Sequence, residues 1–192
     1  MVEKKEKTGF RQKQIADAAA ELILKYGSEH VTIKRLAMET NLSEAAIYRH
    51  FNSKSDIFHF LLKHVESTLL ADLDQSNLKD AVKPLGLDEL IDRHISHIEN
   101  SHGVAFQVIA EIISMGDSAL NQDTLNTINS YIQSMSQVFR RGKMRNAGTM
   151  AIIFFTLIQG LVNLWALGGY AFNLKERFYR VWTVGNKTLL AA

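Results

Sequence analysis

The sequence predicts an all-α protein with two parts, a small N-terminal domain of three helices and a larger C-terminal helical domain. Its 192 residues contain one proline, Pro84, and no sustained alternation of apolar and polar residues, so strands are not expected. Apolar residues instead recur three and four positions apart, which is the spacing of one helix face. With 46% hydrophobic and 22% charged residues, the composition is that of a soluble globular protein with a large core. We expect the two domains to comprise residues 1–54 and 55–192.

Charge and cysteine content narrow the functional classes. The chain has no cysteine, which excludes disulfides, thiol catalysis and thiolate metal sites and fits a reducing cytoplasm. The net charge is +2, with residues 1–54 carrying +3 and residues 55–192 carrying −1. A basic excess in one domain is the electrostatic pattern of nucleic-acid binding. The N-terminal segment lacks the apolar run of a secretion signal, so we expect a cytoplasmic protein.

The first helix is predicted from about Phe10 to Tyr26, after a charged arm of residues 1–8. Its apolar stripe falls at spacings of four, three and four and comprises Ile15, Ala19, Leu22 and Tyr26. Gly27 then suits the position just after a helix end. This stripe needs a partner, which the next two helices supply.

Two short helices and a tight turn are predicted between Thr32 and Lys54. Thr32 and Ser43 are each suited to cap the start of a helix. Asn41 lies in the turn, where asparagine is the non-glycine residue that best tolerates left-handed backbone angles. Such a helix-turn-helix presents its second helix to the DNA major groove, although an ordinary pair of packed helices fits the same pattern.

Six further helices are expected. The fourth starts after a Ser53–Asp56 cap, continues to about Gln75 and places Ile57, Leu61, Val65 and Leu69 on one face. A linker, Asn77–Leu87, separates it from a fifth helix capped by Asp88. The remaining helices are predicted near residues 104–115, up to 141, 146–169 and 173–190. In the seventh, the inward stripe is predicted to be Leu125, Ile128, Ile132, Met135 and Phe139.

Phe10 to about Leu62 resembles the DNA-binding domain of the tetracycline-repressor (TetR) family of bacterial transcriptional regulators. The residues that carry the resemblance, without gaps over about forty positions, are Ile15, Ala18, Ala19, Gly27, Val31, Thr32, Ile33, Leu36, Ala37, Leu42, Ser43, Ala46, Ile47, Tyr48, Arg49, His50, Phe51 and Lys54. Asn41 replaces the family's usual glycine, a conformationally mild change. The resemblance implies a transcriptional regulator, and we predict a repressor and no enzyme. No phosphate-cradling glycine loop, HExxH motif or nucleophile elbow is present.

The resemblance also implies roles for residues of the helix-turn-helix. The predicted DNA-binding residues are Thr32, Lys34, Ser43, Glu44, Ala45, Ala46, Tyr48, Arg49, His50 and Lys54. Among these, Glu44, Ala45, Ala46 and Arg49 are expected to face bases, and Tyr48, His50 and Lys54 to hold phosphates. Thr32 and Lys34, at the start of the preceding helix, can meet the phosphate backbone. Arg49 suits this role because its guanidinium can make a two-pronged contact with guanine.

By the same resemblance the C-terminal helices hold an effector and form a homodimer on a palindromic operator. The predicted pocket residues are Phe106, Ile109, Ile113, Tyr131, Met135, Phe154, Phe155 and Gln159. They predict a small, largely apolar or aromatic effector. The predicted dimer residues are Leu161, Leu164, Trp165, Phe178, Trp182 and Gly185. The alternative is a DNA-binding dimer without a small effector, either architectural or regulated by a protein partner.

Two other patterns compete with these predictions. Residues 146–174 contain no charged side chain, and this uncharged stretch is long enough for a transmembrane helix. Polar Gln159 and Asn163 and the Gly168–Gly169 break favour a dimer helix instead. His94 and His97 lie one turn apart and suit a shared metal ion. We expect surface or pocket-edge histidines, with no metal and no cofactor.

Overall fold

The computed structural model describes residues 2–73 and 86–191, with the side chains of residues 8–71, 73 and 86–184. All regular secondary structure in these ranges is helical, which confirms the predicted all-α class. The α-helices are α1 (Val2–Tyr26), α2 (Ile33–Thr40), α3 (Glu44–Tyr48), α4 (Lys54–Leu73), α5 (Leu87–Asn100), α6 (Val104–Ser114), α7 (Ser118–Arg141), α8 (Ala147–Leu167) and α9 (Leu174–Ala191). A single turn of 3-10 helix, Ser28–His30, follows α1.

The chain divides into two compact units. The first comprises residues 1–67 and 107–127, and the second comprises residues 68–106 and 128–192. Helices α4, α6 and α7 each contribute residues to both units. The predicted boundary between residues 54 and 55 stays a prediction.

The first unit has an aliphatic core formed by its short helices and by one face of α1. Ile15 of α1, Leu36 of α2 and Ile47 of α3 are completely buried, as is Ile57 of α4. The apolar stripe predicted for the fourth helix is confirmed, because Ile57, Leu61, Val65 and Leu69 are all buried. Burial of each such side chain contributes about 1.5–3 kcal/mol before conformational entropy is subtracted.

The second unit has an aromatic core. The rings of Phe139, Phe154, Phe178 and Trp182 lie 5.3–5.8 Å apart between their centroids, in the range of favourable ring contacts. The Lys175 ammonium of α9 forms an ion pair with the Asp92 carboxylate of α5, with 2.8 Å between nitrogen and oxygen. The Glu99 carboxylate of α5 accepts the Leu174 amide at 2.7 Å. These polar contacts attach the first turn of α9 to α5.

Two helix starts differ from the prediction. Helix α1 begins at Val2 rather than near Phe10, because the predicted arm is rich in Lys and Glu, which are good helix formers. Helix α5 begins after Gly86 rather than Asp88, and Glu89 accepts the Gly86 amide at 3.1 Å. The predicted end of the fourth helix at Gln75, and most of the predicted linker, lie outside the described residues.

The buried face of α7 is rotated near its N-terminus relative to the prediction. Leu125, predicted to face inward, is 50% exposed, whereas Thr124 and Thr127 are buried. The Thr124 hydroxyl donates to the Leu120 carbonyl at 2.8 Å, which satisfies its polar atom within the helix. Further along, Met135 and Phe139 are buried as predicted.

Helix α8 is the one helix among the described residues that is long and apolar enough to cross a membrane. Nine of its residues, including Phe154, Phe155 and Trp165, are buried against the rest of the chain. A helix surrounded by lipid would not need to pack against protein. Helix α8 packs one face against the chain and exposes the other, which is the pattern of a core helix.

We predict that Asn41→Ala lowers the free energy of unfolding by about 1 kcal/mol, whereas Asn41→Gly leaves it nearly unchanged. Asn41 has φ 52° and ψ 42°, a conformation that strains a residue with a Cβ and no local polar group. Urea unfolding followed by circular dichroism measures both variants. Asn129→Ala, at an exposed helical position, is the control that should cost nothing. An Asn41→Ala variant as stable as wild type would contradict the prediction.

Candidate nucleic-acid interface

The helix-turn-helix is fixed by caps at both of its helix starts. The Thr32 hydroxyl accepts the Arg35 amide at 3.2 Å, and the Ser43 hydroxyl accepts the Ala46 amide at 3.1 Å. Between them, the Asn41 amide donates back to carbonyls of the last turn of α2. Each cap satisfies an amide that the helix start would otherwise leave unpaired.

Helix α3 presents an exposed polar face. Glu44, Ala45, Tyr48 and Arg49 are exposed, and Ile47 on the opposite side is completely buried. On the preceding helix, Thr32 and Lys34 are also exposed. The structure therefore brings six of the predicted residues to accessible positions, namely Thr32, Lys34, Glu44, Ala45, Tyr48 and Arg49.

Two residues of this group lie differently from the prediction. Ala46 was expected to project outward, but it is 8% exposed. Successive helix residues are 100° apart, and Ala46 lies on the side of α3 that the buried Ile47 occupies. His50 is half-buried, and its Nδ1 atom is buried with no partner among the described residues. The outward face is therefore narrower than the sequence predicts.

Helix α1 holds the C-terminal ends of both short helices. The Gln14 side-chain amide donates to the Thr40 carbonyl at 3.2 Å, and the Gln12 amide donates to the His50 carbonyl at 3.5 Å. Carbonyls at helix ends lack partners within the helix. These two glutamines therefore fix α2 and α3 against α1, a role that the sequence did not indicate.

Lys54, the predicted phosphate anchor, has a defined position at the start of α4. Its Nζ atom donates to the Ser28 carbonyl at 3.0 Å and lies 5.3 Å from the centroid of the Phe58 ring. Burial lowers the pKa of Lys54 below its usual value, and the nearby Glu29 carboxylate offsets only part of this effect. Also in the first turn of α4, the Asn52 amide and the Ser53 hydroxyl lower the pKa of Asp56, which keeps its carboxylate charged as the cap predicted from the sequence.

Residues 15–61 match the model of bacterial regulatory proteins of the tetR family. Over these residues the chain shares the DNA-binding domain of the tetR family. It is accordingly a DNA-binding transcriptional regulator, and residues 15–61 include the entire helix-turn-helix described above. The regulators that it resembles are not enzymes.

Relatives and solved structures agree with the tetR-family fold over nearly the whole chain. The nucleoid occlusion factor SlmA of Vibrio vulnificus is 22% identical over 189 residues, covering 93% of this chain and 95% of that protein. The regulator FadR of Bacillus subtilis, solved in complex with stearoyl-CoA, is 19% identical with a TM-score of 0.72, covering 90% and 96%. TetR of Rhodobacter sphaeroides is 15% identical with a TM-score of 0.75, covering 88% and 95%.

The predicted effector residues divide between the two units. Ile109 and Ile113 belong to the first unit, where Ile109 is buried and Ile113 is 49% exposed. The others belong to the second unit and are Phe106, Tyr131, Met135, Phe154, Phe155 and Gln159. Within it, the Tyr131 ring lies 6.0 Å from the rings of both Phe106 and Phe155.

A buried polar pair lies among these aromatic rings. His94 is completely buried, and its Nε2 atom lies 2.7 Å from the Tyr131 hydroxyl. His94 is therefore not a surface residue, which leaves the pocket-edge alternative as a prediction, whereas His97 is exposed. Among the described residues, no group of three or more His, Asp or Glu side chains suits a metal ion. The sequence did not predict the hydrogen-bond pair of His94 and Tyr131, because the two residues lie 37 positions apart on different helices.

The predicted dimer residues include several that the chain buries by itself. Phe178, Trp182, Leu161 and Trp165 are each at most 6% exposed in the single chain. Leu164 is 59% exposed, so it alone of these five keeps a large free surface. Gly185 lies beyond the described side chains. Their role at an interface stays a prediction.

A shallow groove of the second unit, with several polar side chains along it, was not predicted. Asp92, Lys175 and Tyr179 lie on its wall, and the Tyr179 hydroxyl donates to Asp92 at 3.3 Å. Burial, followed by the Asp92 charge, raises the pKa of Tyr179 to about 12. The phenol is therefore neutral at physiological pH and holds α9 to α5 as a hydrogen-bond donor.

Proposed function

We propose that this tetR-family regulator is a cytoplasmic homodimeric repressor that leaves a palindromic operator when a small, largely apolar effector binds. The observation that carries the DNA-binding part is the exposed polar face of α3 on a helix-turn-helix whose two starts are capped. A rigid recognition helix of this kind enters the major groove, and a dimer places two of them about 34–36 Å apart or at a multiple of that distance.

The proposed DNA contacts divide into two classes. Glu44, Ala45 and Arg49 read base edges, since they are exposed along α3. Ala46, which was also predicted to face bases, is only 8% exposed, so we propose at most a marginal base contact for it. The remaining residues position the protein on the phosphate backbone and are Thr32, Lys34, Ser43, Tyr48, His50 and Lys54. Backbone contacts set affinity and salt dependence, whereas base contacts set sequence preference.

We predict that Arg49→Ala relaxes base preference at one operator position, with a loss of about 1–3 kcal/mol of discrimination. Lys54→Ala should instead weaken binding to all sequences and flatten the salt dependence of log K by about one unit. Selection from a random-sequence DNA library, followed by fluorescence anisotropy at several salt concentrations, measures both effects. The readout assignment is refuted if Arg49→Ala keeps both its affinity and its sequence preference.

The proposed dimer contact is the exposed face of α8. Ile152, Thr156, Gly160 and Leu167 recur on one side of the helix together with Leu164, and all of them are exposed. No charged residue occurs between residues 146 and 174. An exposed charge-free face of this length is uncommon on a monomer and is typical of an interface. A Cβ atom added to Gly160 would meet no neighbouring atom within 4 Å, so a partner helix can approach closely there.

We predict that Leu164→Glu converts a soluble dimer of about twice 21.7 kDa into a monomer, because it buries a charge in the interface. Leu125→Glu is the matched control, since Leu125 is a similarly exposed leucine, 50% against 59%, on α7. Light scattering after size exclusion, without detergent, measures both masses. If Leu164→Glu stays dimeric, the interface lies elsewhere; if the wild type needs detergent, α8 serves a membrane instead.

The proposed effector site is the aromatic cluster of the second unit. The site would be formed by the buried rings of Phe106, Tyr131, Phe154 and Phe155, which suit an apolar or aromatic ligand. The Gln159 amide donates to the Phe106 carbonyl at 3.1 Å, and its Oε1 atom is buried without a partner in the described part of the chain. That oxygen can accept one hydrogen bond from an effector hydroxyl or amide. FadR of Bacillus subtilis, a similar fold, is solved with stearoyl-CoA, a molecule that joins a long apolar acyl chain to a charged CoA group.

We predict that an effector raises the melting temperature of the free protein and lowers its DNA affinity. Operator and effector must weaken each other by the same factor. Stearoyl-CoA and a set of two- and three-ring aromatic alcohols are the probes, tested by thermal shift and by DNA release. Gln159→Leu should reduce both responses, and Gln133→Leu, at an exposed position of α7, should reduce neither.

The second candidate is a DNA-binding dimer controlled by a protein partner or acting as an architectural protein. It is favoured by the similarity over 93% of the chain to SlmA, whose name is nucleoid occlusion factor. DNA affinity that is insensitive to every probe above would support it over the effector-controlled repressor.

A further inference from the structure

The turn Ser28–His30 connects the proposed phosphate anchor to a carboxylate of α6. We infer that Glu111 is a positioning residue for DNA binding, which holds Lys54 in place through the backbone of Ser28. The inference rests on the proposed role of Lys54 as a phosphate anchor. Glu111 is remote in sequence, 83 positions from Ser28, and belongs to the same compact unit.

The contact begins with a backbone amide that the start of the 3-10 turn leaves unpaired. Gly27, with φ 88°, ends the helix, and the Ser28 amide has no backbone acceptor among the described residues. Ser28 is buried at 6% exposure, so an unpaired amide there would cost about 1–3 kcal/mol. The Glu111 Oε2 atom accepts this amide at 3.0 Å, which is a charge-assisted hydrogen bond of the stronger kind.

The same residue receives Lys54 on its carbonyl. The Ser28 oxygen accepts the Val31 amide at 3.2 Å and the Lys54 ammonium at 3.0 Å, which uses both of its lone pairs. Fixing the Ser28 backbone from its amide side therefore fixes the acceptor that orients Lys54.

This arrangement prepares Lys54 for a phosphate. An ammonium has three N–H donors, and one is used by Ser28, which leaves two for a further acceptor. The Phe58 ring, 5.3 Å from Nζ, further limits the side-chain conformations. A lysine that is already ordered loses less side-chain entropy when it binds DNA.

Charge and positioning make opposite predictions for Glu111. Removing a carboxylate near a DNA-binding surface should by Coulomb's law alone strengthen binding to the DNA polyanion. Removing the acceptor that orders Ser28 should weaken it. A pair of variants with the same charge separates the two effects: Glu111→Gln keeps an oxygen acceptor of the same reach, whereas Glu111→Met keeps the size and loses the acceptor.

The experiment measures binding of a fluorescent DNA duplex of mixed sequence by anisotropy at several salt concentrations. Glu111→Met should bind about three- to tenfold more weakly than Glu111→Gln, and Glu111→Gln should bind at least as well as wild type. In a Lys54→Ala background the difference between Met and Gln should fall below about twofold. This loss of the difference is the signature of action through Lys54, which a general loss of stability does not produce.

Glu66→Met and Glu66→Gln, at a half-buried carboxylate of α4 in the same unit, are the matched controls and should bind alike. Thermal unfolding without DNA verifies that every variant is folded at the assay temperature. Equal affinities of Glu111→Met and Glu111→Gln, or a difference that persists without Lys54, overturn the inference alone. If Lys54→Ala leaves affinity and salt dependence unchanged, the anchor assignment fails, and the inference fails with it.

Discussion

The structure depends on one constraint: where a helix ends, its unpaired amides or carbonyls must find partners elsewhere. This constraint is strongest for short helices, because almost all their backbone groups lie near an end. Helix α3 has five residues and α2 has eight. Thr32 and Ser43 satisfy amides locally. Gln14 of α1 satisfies a carbonyl at the far end of α2. The recognition helix therefore owes its fixed position to polar side chains as much as to the buried Ile47.

The same constraint separates what the sequence could predict from what it could not. A local cap lies within three residues of the amide that it binds, so Thr32 and Ser43 were predicted and confirmed. A remote cap has no such pattern. Glu111 lies 83 positions from the Ser28 amide, and Glu99 lies 75 positions from the Leu174 amide. Both appear in the sequence as ordinary carboxylates, and folding alone shows which amide each one meets.

Helix positions were predicted well because apolar spacing reports the helix face directly, and the all-α class and the stripe of α4 were confirmed. The failures have a physical cause. On α7, Thr124 is buried although it is polar, because its hydroxyl bonds the carbonyl one turn earlier. The neighbouring Leu125 is exposed. A hydrophobicity pattern assigns these two positions the wrong way round, since it cannot register a hydroxyl that the helix itself satisfies.

For the second unit the sequence identified the apolar residues but not the surfaces that they cover. Phe178 and Trp182 have the spacing of an interface, yet their rings pack against Phe154 within the chain. The exposed face of α8 falls instead on residues such as Gly160 and Leu164. The outer face of α8 is largely apolar and carries no charge, which favours its burial against a partner. We propose that this partner is a second copy of the same chain, because a matching charge-free face would bury the exposed Leu164 without desolvating a charge.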